Sequence, residues 1–390
     1  MMDYEKLLSP TVVQMKPSGI RKYFDIVASM EGVISLGIGE PDFPTPQAVR
    51  EAGVASLQDQ KTKYTSNFGL MELREEICNY VKRKYDVSYN AVGDVLVTVG
   101  GSEAIDTCIR AMVAPGDEVI IPQPCYVCYE PMVNLCGGKA VIIETKAEDG
   151  FKVTPEQLRA AITPRTKALI LPYPCNPTGG VMRRADLEAI AEVLRETDIF
   201  VLSDEIYAEL TFGDEPHVSI ASIEGMRERT VLVNGFSKAF SMTGWRLGYA
   251  CGPSQIIKQI TKIHQYTIMC APTTAQYAAI EALRNGDAAV QHMREIYDAR
   301  RRLIVDGFNK LGLTCREPLG AFYAFPSIQS TGLSSEEFCE KLLHAEKVAI
   351  VPGTAFGQGG EGFVRASYCY STEHIKEALT RIGRFLESLK

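Results

Sequence analysis

From Asp94 to Gly252 the chain repeats one pattern, a short run of β-branched and aliphatic residues followed by a longer amphipathic stretch. The apolar runs fall at Val95–Val99, Glu118–Ile121, Ala140–Ile143, Ala168–Leu171, Ile199–Ser203, Thr230–Asn234 and Leu247–Cys251. Helix-like segments lie between several of them, at Glu103–Val113, Pro155–Ile162 and Arg184–Arg195. Alternation of this kind predicts a mostly parallel, doubly wound sheet of seven strands covered by helices on both faces. Ligands on such sheets bind beyond the carboxyl ends of the strands.

The pattern changes after Gly252. A helical stretch is expected from roughly Pro272 to Leu311, then short strands at Ala321–Phe325, Ala349–Val351 and Phe363–Ser367, and a closing helix from Glu373 to Lys390. The first forty-odd residues carry a helix candidate, Ile20–Met30, and then the Gly/Pro-rich string Leu36-Gly37-Ile38-Gly39-Glu40-Pro41-Asp42-Phe43. They do not fit the large sheet. The expected fold is therefore α/β, with a large domain over residues 48–285 and a smaller α/β domain built from both chain ends, residues 1–47 and 286–390.

Composition narrows the function classes. With 390 residues, 46% of them hydrophobic and 23% charged, the chain can bury a large core, and no segment reads as low-complexity or as a solenoid repeat. A formal net charge of −7 and the lack of a Lys/Arg run argue against a nucleic-acid or anionic-membrane partner. The start, Met1-Met2-Asp3-Tyr4-Glu5-Lys6, has no basic region leading into an apolar core. No apolar run approaches the roughly 18 residues of a bilayer span. Eleven cysteines, an odd number, read as reduced thiols in a cytoplasmic protein. Cys125 and Cys128 have CxxC spacing, but no second pair or nearby His completes a zinc set, so both read as pocket or core residues.

Chemistry-bearing residues gather at the ends of the expected strands. Asn234-Gly235-Phe236-Ser237-Lys238 follows one, and Arg246 comes eight residues later. A lysine in such a turn can form a Schiff base with an aldehyde, while Ser237 and Arg246 suit a phosphate; alone, that lysine would read as a solvated loop residue. Asp204 emerges from the strand Phe200-Val201-Leu202-Ser203, where a buried charge needs a partner such as a protonated pyridine nitrogen. Tyr207, three residues on, can donate to an oxygen of the same ring; the alternative is a helix cap followed by a surface tyrosine. Gly100-Gly101-Ser102-Glu103 ends a strand and opens a helix, a turn whose N–H groups bind phosphate, although tight turns of this kind are common. In Pro172-Tyr173-Pro174-Cys175-Asn176-Pro177-Thr178-Gly179-Gly180 three prolines surround one Asn, which suggests a rigid loop aiming one amide.

The ordered set Gly39, Tyr64, Gly100–Glu103, Tyr126, Asn176–Gly179, Asp204, Tyr207, Ser237, Lys238, Arg246 and Arg365 resembles the class I/II aminotransferases of pyridoxal-phosphate fold type I. The resemblance runs from Ser18 to the C-terminal helix. Strings such as Ser18-Gly19-Ile20-Arg21-Lys22, Gly37–Phe43 and Asn234–Lys238 are most similar to the aspartate/aromatic branch, as in archaeal aromatic aminotransferases. The resemblance implies pyridoxal 5′-phosphate bound to Lys238 as a Schiff base. It implies further that Asp204 pairs with the pyridine nitrogen, that Asn176 and Tyr207 bond the ring oxygen, and that Tyr126 stacks on the ring. Gly101, Ser102, Ser237 and Arg246 would hold the phosphate, with Tyr64 reaching in from the other subunit of a homodimer. Arg365 would clamp the substrate α-carboxylate beside Gly39.

Two departures bear on this expectation. Many members of that family stack a Trp where this chain has Tyr126. The dicarboxylate-specific branch reads a side-chain acid with a partner-subunit Arg, and the matching stretch here, Lys262-Ile263-His264-Gln265-Tyr266-Thr267, contains none. With Tyr126, Tyr266, Tyr323 and the Ile20 region forming an apolar and aromatic pocket edge, aromatic or neutral amino acids are expected over aspartate, with 2-oxoglutarate as an acceptor. Lys262 and His264 are the candidates for an anion contact should aspartate be used. A lyase or synthase on the same scaffold would keep nearly all these residues, and a cofactor-sensing regulator would need a DNA-binding extension that the sequence does not show.

Overall fold

A computed structural model describes residues 2, 4–17, 19–20 and 30–390. The expected helix Ile20–Met30 lies almost wholly outside the described residues, as does most of the string Ser18–Lys22.

Seven strands form the large sheet: β2 (Val95–Thr98), β3 (Glu118–Gln123), β4 (Lys139–Glu144), β5 (Thr166–Leu171), β6 (Phe200–Asp204), β7 (Thr230–Gly235) and β8 (Gly248–Cys251). Their order is β2-β8-β7-β6-β5-β3-β4, with β8 antiparallel to both its neighbours and every other pairing parallel. Each run of alternating apolar residues feeds two cores at once. Leu96, Val119, Ile121, Ile170, Leu202, Val231 and Ala250 face the helix Gly101–Met112 through Ile105, Cys108 and Ile109. Val95, Val97, Leu232 and Tyr249 face the other way, onto Leu73, Ile77 and Ala278. Further along that opposite side, Ile120, Leu169 and Val201 meet Leu187, Ile190 and Leu194 of the helix Arg184–Arg195. A period of two therefore places most residues of the inner strands in a helix-covered layer, while the edge strand β4 stays partly exposed, and each buried aliphatic side chain contributes about 1.5–3 kcal/mol.

The expected helical stretch from Pro272 to Leu311 is two helices, Thr273–Asn285 and Asp287–Lys310, separated at Gly286. Beyond it, β9 (Tyr323–Ala324), β11 (Val351–Pro352) and β12 (Val364–Ser367) make an antiparallel sheet ordered β11-β12-β9. From the other end of the chain, β1 (Ile34–Ser35) pairs in parallel with β10 (Val348–Ala349), and Ser367 donates its N–H to Leu36. One apolar core holds these pieces together: Leu36, Tyr297, Phe308, Phe322, Phe338, Val364, Ile382 and Phe385 all belong to it, and so does Tyr207 from just beyond the carboxyl end of β6. No described helix is long and apolar enough to cross a membrane.

Candidate active site

Six strands of the large sheet point the same way, and the carboxyl ends of several of them open on one cavity of about 470 Å³. Gly39, Gly101, Ser102, Tyr126, Asn176, Asp204, Tyr207, Ser237, Lys238, Arg246 and Arg365 all line it. Of the site residues read from the sequence, Tyr64 stays away from the cavity of its own chain and is 81% exposed.

The turn after β2 makes the cavity's anion-binding corner. Gly100 has φ +78°, which suits glycine, and a Cβ there would lie 2.5 Å from the Arg246 guanidinium. That close approach brings Arg246 up to the first turn of the helix Gly101–Met112, whose N–H groups lack intrahelical acceptors. Arg246 Nη1 is held by the Thr243 carbonyl at 2.9 Å, and Ser237 adds a hydroxyl from the turn after β7.

Asp204 ends β6, in register with Val233 of β7. Burial pushes its carboxyl pKa up, while a bond from Tyr129 Oη to Oδ2 at 2.6 Å and one from the Ile206 N–H to Oδ1 at 3.2 Å pull it down. None of its described neighbours is a cation paired with it. A carboxylate so placed demands a buried positive donor.

Lys238 reaches into the cavity from the turn after β7, and its Nζ donates to the Gly39 carbonyl at 2.7 Å. Its pKa is lowered to about 8, chiefly by burial and secondarily by Arg365 and Arg246, so the amine is readily neutral. Tyr207 Oη and Tyr323 Oη share a hydrogen bond of 2.9 Å; burial raises both phenols, that of Tyr323 to about 12. The wall is tight here. A Cβ on Gly39 would fall 2.0 Å from Tyr323 Oη.

Arg365, on β12, is buried between the rings of Tyr323 and Phe356, 4.3 and 4.7 Å from their centroids. Nη1 donates to Asn176 Oδ1 at 2.9 Å and Nη2 to the Gly37 carbonyl at 2.5 Å, while Nε has no partner among the described residues. The loop that aims Asn176 is closed by Cys175 N–H to the Gly180 carbonyl, 2.9 Å, with cis bonds at Tyr173–Pro174 and Asn176–Pro177. Because Asn176 accepts from Arg365 through Oδ1, its amide nitrogen remains available as a donor.

Two contacts were not read from the sequence. Tyr129 was missed as the donor to Asp204; its only signal was a third residue's spacing from Tyr126 at the start of the helix Tyr129–Leu135. Thr243, another lining residue, was missed too, and it meets Glu40 through its hydroxyl. Two readings are corrected. His264 is fully buried and bonded to Glu103, so it is not an anion contact for substrate. Tyr266, expected at the pocket edge, is 87% exposed and outside the cavity of its own chain. Cys125 and Cys128 are free thiols whose pKa values burial raises, and no metal-binding cluster occurs among the described residues.

A readily neutral lysine, a buried carboxylate calling for a cation and an anion-binding corner match the aldehyde, ring nitrogen and phosphate of one cofactor. Fold and site together define a pyridoxal-phosphate enzyme of fold type I. The chain matches the family "Aminotransferase class I and II" over residues 31–382. It is 55% identical over 379 residues to the Bacillus subtilis protein YugH, named as an aminotransferase, covering 97% of this chain and 98% of that one. It is 47% identical to the aspartate aminotransferase of Pyrococcus abyssi over 96% and 97% of the two chains. The solved aromatic aminotransferase from Pyrococcus horikoshii OT3 is similar with a TM-score of 0.90 and 44% identity, over 95% of this chain and 99% of that one. The protein belongs to the class I and II aminotransferases and is a pyridoxal-phosphate-dependent amino-acid aminotransferase.

Proposed function

We propose that this enzyme prefers aromatic or other neutral L-amino acids to aspartate and passes the amino group to a 2-oxo acid such as 2-oxoglutarate. The observation that carries the reading is the cavity lining. Its cations are Lys238, Arg246 and Arg365, each matched to another task, and the remaining wall offers Ile20, Tyr126, Pro174 and Tyr323. Within one chain, a second carboxylate would enter without a charge partner, at a desolvation cost. The relatives include both an aspartate and an aromatic enzyme, so the reading is supported by the pocket's chemistry and not by kinship.

In this reading Asp204 holds the ring nitrogen, and Tyr207 and the Asn176 amide hold the ring oxygen. Gly101, Ser102, Ser237 and Arg246 hold the phosphate, and Tyr126 lies against the ring. When bound, pyridoxal 5′-phosphate supplies an aldehyde for the amino group and a ring that draws electron density from Cα. Arg365, already oriented by Asn176 and Gly37, grips the α-carboxylate beside Gly39. Lys238 Nζ would take the proton from the substrate Cα and deliver it to the cofactor's aldehyde-derived carbon, a task suited to an amine whose pKa lies near the working range.

The same reading makes the enzyme a two-fold homodimer whose Tyr64 completes the opposite site, which fits a side chain that is exposed within one chain. The small domain is taken as residues 1–47 with 286–390, and the large one as 48–285, a division supported by the pairing of β1 with β10. Unpaired thiols throughout suit the cytoplasm.

A panel of amino acids scored by the pyridoxal-to-pyridoxamine absorbance change tests the substrate reading. Phenylalanine and tyrosine should give higher kcat/KM values than aspartate. Aspartate well above both would overturn it.

A further inference from the structure

Glu103 stands one residue beyond Ser102, inside the first turn of the helix Gly101–Met112, and its carboxylate ties three elements together. Oε2 accepts the N–H of Val99, just before the turn, and Oε1 meets His264 Nδ1 at 2.6 Å. His264 lies on the helix Ser254–Thr267, which packs on the first helix through Ile257 and Ile260. The imidazole is wholly buried, and its Nε2 has no partner among the described residues. With the Nδ1–H tautomer the ring donates to Glu103 and leaves Nε2 as a bare acceptor, so no donor is orphaned.

The same helix leads to a second anchor. Just past its end, the Met269 carbonyl accepts from Asn67 Nδ2 at 2.8 Å. Thr273 Oγ1 donates to the Lys63 carbonyl at 2.8 Å, and Gln276 Nε2 donates to Thr65 Oγ1 at 3.1 Å. These bonds fix the loop that carries Tyr64. The helix Ser254–Thr267, the short connection after it and the next helix, Thr273–Asn285, therefore run from the Gly101–Ser102 turn to the Tyr64 loop, and Glu103–His264 is the polar tie at the turn.

We propose that Glu103 and His264 are a positioning pair for cofactor phosphate, setting the Gly101–Ser102 turn in their own site and, through the helix of His264 and the segment that follows it, the Tyr64 loop that serves the partner's. Neither side chain lines the cavity, so neither is a catalytic residue. The proposal rests on the reading that the phosphate sits at Gly101, Ser102 and Arg246. Its distinguishing consequence is selectivity: losing the pair weakens the grip on phosphate and leaves the ring contacts at Asp204, Asn176 and Tyr207 in place.

The test measures the affinity of the full-length protein, freed of cofactor, for pyridoxal 5′-phosphate and for pyridoxal, which lacks the phosphate. Glu103→Ala and His264→Ala should lose affinity for the phosphorylated form on the order of tenfold, with the affinity for pyridoxal nearly unchanged. Glu103→Gln, which can still accept from Val99 and bond His264, should retain most of the wild-type preference. If Glu103→Ala does not fold, His264→Phe, which keeps the ring volume and removes the donor, carries the same expectation. A parallel fall for both ligands, or no fall for either, would overturn the proposal. Arg246→Ala separates the underlying reading: if it leaves the phosphate preference intact, the placement of the phosphate itself is wrong.

Discussion

Tyr129 donates its phenol hydrogen to Asp204 Oδ2 across 2.6 Å, with both side chains buried at the carboxyl edge of the sheet. Burial drives the Asp204 pKa up and this bond holds it down. Tyr129→Phe removes the bond while keeping the ring. The folded-state pKa of Asp204 should then climb, so the acid limb of cofactor retention, followed by visible absorbance, should move to higher pH. Activity at neutral pH should fall by about tenfold, the scale of one hydrogen bond to a charged group. Asp204→Ala should be far more damaging than Tyr129→Phe; equal losses would mean that Tyr129 acts by packing.

Lys238 has its pKa lowered to about 8 by burial. Only the neutral amine attacks an aldehyde, so recombination of apoprotein with pyridoxal 5′-phosphate should quicken as pH rises. About a tenth of the amine is neutral at pH 7 and about nine-tenths at pH 9. The sign for stability follows from the same shift. An unfolded lysine near 10.5 binds its proton more tightly than the folded one, so the apoprotein should gain melting temperature between pH 8 and 10.5. Lys238→Ala should abolish both the recombination and the extra stabilisation.

Arg365→Lys keeps the charge and loses the fork. The bonds to Asn176 Oδ1 and the Gly37 carbonyl cannot both be kept by one ammonium. KM for the amino acid should rise on the order of tenfold to a hundredfold, with a smaller change in kcat. Steady-state kinetics over several donors checks this, and a change confined to kcat would point to a different role.

Tyr64 offers a test of shared sites. Tyr64→Asp sets an anion against the phosphate and Lys238→Ala removes the reactive amine, so both homodimers should be nearly inactive. In a mixed dimer one site collects both defects and the other is wild type. Mixing the two variants under subunit exchange should restore activity. Mixed dimers that form yet stay at the parental level would show that Tyr64 does not act across the interface.

The large sheet was legible in the sequence because its signal is a period repeated seven times, and boundary differences from the expected strands amount to a residue or two. Lys238, Asp204 and Asn176 were legible as cavity residues because each ends or closely follows an apolar strand, a place where a polar group needs a reason. Tyr129 was not, since a tyrosine in a segment rich in aromatics and cysteines carries no mark of the hydroxyl's partner, which lies 75 positions away. The interruption at Gly286 was hidden for a related reason: the helical period resumes at once, and one glycine inside such a run is tolerated. His264 reads as a fallback anion contact because it lies in the stretch where the dicarboxylate branch carries an Arg, and the packing of its helix, which no local pattern shows, turns it inward onto Glu103.

The contact between Gly39 and Tyr323 has a consequence for how this enzyme can diverge. A methyl group at position 39 would displace the Tyr323 hydroxyl, and that hydroxyl is bonded to Tyr207. A mutation on the substrate's side of the pocket would thus be felt at the ring's side in the same generation. New substrate tastes are more cheaply acquired at Ile20, a lining residue with no part in holding the ring or the phosphate.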